Sequence, residues 1–464
     1  MKREKHDTHR PPVTRREFLA SGAIGFSATM FAPTLFSSLF ATREALGSAC
    51  PDSGGPDPRM VPYLVFDLAG GASLSGNFLV GKQGGPEDLL RSYSTLGWNP
   101  RDQGALDKTF GIPMSARMSQ MLVGMKQTMS AQAQAVLRMG SICTISADDT
   151  SRNPSSAVTL VSKSGYQGSL MPGGLGTTSN NSGGNSDVAM TDLTLKPLFV
   201  SSLNDVLGSI SYGPAFAKFN TKQLTALGKA TLKLSQEQAK KIAQMPMGQQ
   251  LSTLTECGLQ KNLGYASGVT GVDPRQDQVF QSVYGINANT GVGDANAIFA
   301  AIVMNCLKGN SGPGVITLGG YDYHDGTQTT GDQKDLEAGQ QIGRAVEASF
   351  RMGKPLFFHI LSDGSVGSKE NTRIWTTESQ ERSLGIMGYM NPRGAPRQRK
   401  LQVGHYTDGQ GVERDTLIGT EPAKSAYAVF ANYLNVCGRL SEFETWAPRG
   451  LFTPEQLDSL MIYG

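Results

Sequence analysis

The chain has 464 residues, 39% of them apolar and 17% charged, with 56 glycines, enough for a sizeable core in one large domain or two. Its formal net charge of +3 is misleading: residues 1–47 hold seven Lys/Arg against four acids, so residues 48–464 carry 35 of each sign. A neutral body excludes charge-driven binding to nucleic acid or to an anionic membrane surface.

Residues 1–47 read as an export signal. A basic, polar start leads into Thr14-Arg15-Arg16-Glu17-Phe18-Leu19 and then an apolar stretch over residues 20–40. This resembles the bacterial twin-arginine signal, S/T-R-R-x-F-L, at every defined position. The competing reading is a membrane anchor, which Gly22, Gly25 and Pro33 disfavour as a permanent span. Ala45-Leu46-Gly47 offers small residues for cleavage, and Cys50 sits in a poor lipobox because Leu46 lies one place too early. The resemblance implies passage through the twin-arginine translocase to the periplasm or the exterior, with the membrane touched only through the signal. Cys50, Cys143, Cys257, Cys306 and Cys437 show no metal-ligand spacing, and Cys143 and Cys306 fall in apolar runs typical of buried thiols.

A linker over residues 48–60 precedes a body over 61–464. Residues 61–68 form a first predicted strand, closed by the tight turn Ala69-Gly70-Gly71-Ala72-Ser73. Residues 111–134 carry a helical Met/Leu face (Met114, Met118, Met121, Leu122, Met125) that reads as core packing. Residues 135–142 form a second strand. Asn153 as cap and Pro154 at the first position then predict a helix to about residue 164, with Ser155 and Ser156 at its electropositive start. Serines there also serve simply as caps. Residues 165–187 read as a flexible Gly/Ser/Asn loop, and residues 193–309 as a mainly helical insertion with a capping box at Ser235 and Gln238. A strand at 315–318, a helix at 332–352, a strand from 355 and helices near 423–440 and 454–461 complete the pattern. Strands alternating with helices predict an α/β fold: a mostly parallel central sheet flanked by helices on both faces.

Three of these strands end in an acid: Asp67, Asp322 and Asp363. Asp322 opens Asp322-Tyr323-His324 in the loop after residues 315–318, where an open α/β sheet binds ligands. The competing reading is a polar turn whose Asp side chains bond their own backbone. Carboxylate plus imidazole suits Zn, Mn or Fe, and Mg or Ca where oxygens dominate. His405 is a further candidate, whereas His359, in mid-strand, reads as a satisfied core histidine or as one that supports the ligands from behind.

The order of these motifs resembles an exported bacterial family of unknown function (domain of unknown function 1501), itself similar to the alkaline phosphatase and sulfatase superfamily. The resemblance covers residues 61–440 and rests on Phe66-Asp67-Leu68-Ala69-Gly70-Gly71, Ser151-Arg152-Asn153-Pro154, Asp322-Tyr323-His324, Ser362-Asp363-Gly364-Ser365 and Gly404-His405. It implies an alkaline-phosphatase-like fold in which Asp67, Asp322, His324, Asp363 and His405 hold one or two divalent cations (Zn, Mn, Ca or Mg). It further implies hydrolysis of a small phosphate or sulfate ester, with Ser155 or Ser156 in the place of a nucleophilic hydroxyl. Two family histidines are absent, one at Pro154 and one beside Asp363. That departure points alternatively to a non-catalytic protein of binding or cell-envelope assembly on the same fold.

Overall fold

The computed structural model describes residues 56–464 except 100–104, 147–152, 172, 178–195 and most of 211–270. The chain divides into two compact units. One comprises residues 1–52 and 215–269, almost wholly outside the described residues, so the expected export signal and the expected Ser235/Gln238 capping box lie outside them. The other comprises residues 53–214 and 270–464 and holds every element below.

Its first strand, β1 (Tyr63–Leu68), is followed by the short pair β2 (Leu106–Asp107) and β3 (Met114–Ser115). Helices α1 (Gln120–Thr128) and α2 (Ala131–Ala135) lead to β4 (Leu137–Thr144) and α3 (Val158–Lys163). Short strands β5 (Leu175–Gly176) and β6 (Leu198–Phe199) come next, then helices α4 (Leu203–Ile210), α5 (Gln278–Tyr284) and α6 (Ala295–Lys308). Strand β7 (Gly314–Leu318), helix α7 (Thr329–Arg351) and strand β8 (Leu356–Ser362) carry the chain back through the sheet. An antiparallel ribbon, β9 (Val366–Ser368) and β10 (Trp375–Glu378), follows β8. Strands β11 (Ser383–Met390) and β12 (Gln402–Val403) precede helices α8 (Pro422–Val436), α9 (Phe443–Trp446) and α10 (Pro454–Ser459).

Among the described residues, eight strands form the central sheet in the order β12-β4-β11-β8-β1-β7-β5-β6. Only β11 runs against its neighbours. All six residues of β1 are buried, as expected of a central parallel strand covered on both faces. Alternation sends Tyr63 to one face, where its ring meets Tyr433 of α8 at 5.4 Å. Leu64 points to the other, where the absent side chain of Gly314 leaves room for both Leu64 and Ile302 of α6. The chain is therefore mixed α/β with a mostly parallel sheet, as predicted. No helix among the described residues is long and apolar enough to cross a membrane.

Several local expectations change. The Met/Leu face of residues 111–134 is not one helix: Met114 lies in β3, and Met121, Leu122 and Met125 lie in α1. These four are buried core, as their pattern suggested, whereas Met118 is half-buried between the two elements. The residue 165–187 stretch is not all loop, because Leu175–Gly176 pairs with β7 as part of the sheet. Helix α10 opens on a capping box, Thr453 with Gln456.

Candidate metal centre

The carboxyl ends of β1, β7 and β8 meet at the Gly70-Gly71 turn. Gly70 has φ +119, and a Cβ there would stand 2.5 Å from the Asp322 nitrogen, so only glycine lets the two loops approach this closely. Tyr321 N–H donates to the Ala69 carbonyl at 3.0 Å, which ties the loop after β7 to the turn after β1. Ser362 fastens β8 to the same turn: its hydroxyl donates to the Leu68 carbonyl at 2.6 Å and accepts from Ala72 N–H at 2.7 Å.

In the loop over residues 319–326 the side chains alternate. Tyr321 and Tyr323 are buried, while Asp322 and His324 face outward. His324 Nε2 lies 2.8 Å from Asp322 Oδ1 and 3.2 Å from Glu378 Oε1, at the end of β10. The three donor atoms all lie within 4.8 Å of one another. With ligand bonds of about 2.0–2.2 Å, neighbouring donors around a cation stand roughly 2.9–3.5 Å apart. The two His324–carboxylate distances lie close to that range, and the donor set, one imidazole and two carboxylates, could hold a divalent cation such as Zn²⁺ or Mn²⁺. Side-chain exposures of 60% for Asp322, 37% for His324 and 58% for Glu378 leave the outer side of the cluster open to solvent. The turn alternative describes the next acid instead: Asp325 Oδ1 accepts from the Thr327 N–H and hydroxyl at 3.0 and 2.8 Å.

The other predicted ligands lie outside this cluster. Asp67 is buried within β1 and accepts from the Thr317 hydroxyl at 3.2 Å. Asp363 Oδ1 accepts from Gly70 N–H at 2.7 Å, so this carboxylate braces the glycine turn. His405 follows β12, four strands from β1 and thus about 19 Å across the sheet; its carbonyl accepts from Glu413 N–H.

Ser155 and Ser156 are 0% and 1% exposed and precede α3, whose cap is Ala157 rather than Asn153. Asn153 instead accepts from the Ser146 hydroxyl at 3.1 Å. Neither serine presents a hydroxyl to solvent. His359 is buried as expected but is not satisfied: neither ring nitrogen has a hydrogen-bond partner among the described residues.

Glu378 is the candidate ligand that sequence reasoning missed. It closes Trp375-Thr376-Thr377-Glu378, a short run rich in β-formers that ends in an acid and matches no motif. A comparison of the chain with protein-family models, curated proteins and solved structures finds no match to any of them.

Proposed function

We propose that the chain is an exported, alkaline-phosphatase-like hydrolase of phosphate or sulfate esters that depends on one divalent cation held by Asp322, His324 and Glu378. The observation that carries this reading is the convergence of His324 Nε2 on both carboxylates beyond the carboxyl end of a central parallel strand. A cation bound there supplies Lewis-acid polarisation of an ester oxygen and lowers the pKa of water. The two carboxylates balance the cation's charge, and three protein ligands with an open side match the pattern of catalytic rather than closed structural sites. With Ser155 and Ser156 buried, water is the attacking group. Water adds to phosphorus or sulfur, the bond to the ester oxygen breaks, and the alcohol leaves with the proton that water gives up. Thr14-Arg15-Arg16-Glu17-Phe18-Leu19 supports export through the twin-arginine translocase.

A second reading has its own support. Burial of both serines and the use of Asp363 to brace Gly70 favour a non-catalytic cation-binding or envelope-assembly protein on this fold. Metal analysis of purified wild type beside Asp322→Ala/His324→Ala tests the site. One equivalent of Zn or Mn, lost in the variant, is expected; no metal in either protein sinks the hydrolase and the cation-binding reading and leaves envelope assembly alone. Turnover of an aryl phosphate or aryl sulfate with added Mn²⁺ or Zn²⁺ then separates them, since cation binding without turnover leaves the second.

A further inference from the structure

Behind the three candidate ligands lies a buried polar cluster that spans the same two chain segments. Tyr323, between Asp322 and His324, packs its ring 5.8 Å from that of Trp375, at the start of the strand that ends in Glu378. The Tyr323 hydroxyl accepts from Ser73 N–H at 2.8 Å and donates to Asp335 Oδ1 at 3.3 Å. Asp335 Oδ2, on α7, accepts from Arg373 Nη2 and from Asn77 Nδ2, each at 2.8 Å. Arg373 also donates from Nε to Asp332 Oδ1 at 3.1 Å and from Nη1 to the Gly76 carbonyl at 2.7 Å. Its guanidinium stands 5.2 Å from the Trp375 ring centroid.

The Arg373 and Asp335 side chains are both fully buried. A buried ion pair adds little net stability over apolar residues of the same volume, yet removing one partner is costly, so the pair enforces one arrangement of the groups it joins. Here the pair joins α7 to the segment leading into the strand that carries Glu378, and the Tyr323 hydroxyl on Asp335 and its ring on Trp375 bring in the loop that carries Asp322 and His324. We infer that Tyr323, Asp335, Arg373 and Trp375 are positioning residues that hold the two halves of the cation site together. They touch no ligand position themselves and act through the backbone segments they anchor. The inference rests on the cation-site reading above.

Its test is titration calorimetry of Mn²⁺ into the full chain for wild type, Tyr323→Phe and Tyr463→Phe. Tyr323→Phe keeps the ring on Trp375 and removes only the hydroxyl bridge. Tyr463→Phe removes a buried hydroxyl that donates to the carbonyls of Arg138 and Met387, away from the site, and so controls for lost stability. Loss of an orienting outer partner typically weakens metal affinity about 10–100-fold, which is the expectation for Tyr323→Phe, with Tyr463→Phe within about twofold of wild type. Wild-type affinity in Tyr323→Phe, or equal weakening in both variants, overturns the positioning role. Absence of binding by wild type overturns the site reading itself, and the inference with it.

Discussion

In the middle of β8, His359 lies beside Gly385 on β11, where a Cβ would stand 3.0 Å from its Nε2. Burial without a partner pushes its pKa from 6.5 down to about 3. The unfolded chain therefore binds a proton that the folded one rejects. Stability from this residue is present above pH 6.5 and is lost as pH falls toward 3, by up to about 5 kcal/mol. Asp335 acts in the opposite sense. Burial lifts its carboxyl from 3.8 to about 6 against the pull of Arg373 and Asn77, so its contribution is present below 3.8 and is lost as pH rises through 6. The two windows overlap, and wild type shows only their difference. His359→Leu is expected to gain about 1–3 kcal/mol at pH 7, where two unpaired nitrogens are removed. That gain should grow by about 2 kcal/mol at pH 5, read from urea denaturation at both values. An advantage that does not change with pH would refute the assignment. Asp335→Asn should lose stability more steeply than wild type between pH 6 and 4.

The candidate site was half legible in the sequence. Asp322 and His324 stand two apart in one strand-end loop, so alternation places them on one side and a short motif suffices. Glu378 comes from a separate ribbon, and nothing local in Trp375-Thr376-Thr377-Glu378 marks the acid as converging on that loop. Asp363 looked like Asp322 in sequence, but its oxygen is taken by the Gly70 N–H, a partner 293 residues away.

Among the elements, α1 and α7 approach closely enough that glycines form their contact. A Cβ on Gly339 would stand 2.1 Å from the Met121 carbonyl oxygen, and one on Gly124 would stand 2.4 Å from the Leu336 carbonyl oxygen. Gly→Ala inside an exposed helix gains about 1 kcal/mol from propensity, but overpacking at this crossing costs about 1–3 kcal/mol. Gly339→Ala is therefore expected to be net destabilising in chemical denaturation despite its better helix propensity; a stabilised variant would show that the helices separate freely. Glycines also hid an element. Residues 383–390 contain Gly385 and Gly388, which in sequence look like strand breakers, and no strand is predicted there. In β11 a Cβ on Gly388 would meet the Phe358 ring at 2.0 Å, so the glycine makes room for a neighbouring strand's side chain. Strands β1, β7 and β8 were legible because each is a short apolar run closed by a glycine turn. β5 and β6, two residues each, are too short to carry a period.

For the molecule as a whole, the alternation of strands and helices was enough to predict a mostly parallel sheet. Strand order was not predictable, because it depends on pairings between distant segments. β1, the first sheet strand in the chain, has β7 on one side and β8 on the other. Its partners run from Gly314 to Leu318 and from Phe357 to Ser362, some 250 and 290 residues further on. Parallel pairing over such separations is slow to form. During synthesis, then, Tyr63–Leu68 emerges with both hydrogen-bonding edges bare and waits until most of the polypeptide has been made. An apolar strand with open edges is a template for pairing with other chains. A nascent chain of this protein should need shielding by a holding chaperone until β8 is complete. A polypeptide ending before residue 314 is expected in the insoluble fraction on expression, and recovery of that fragment as soluble monomer would refute this.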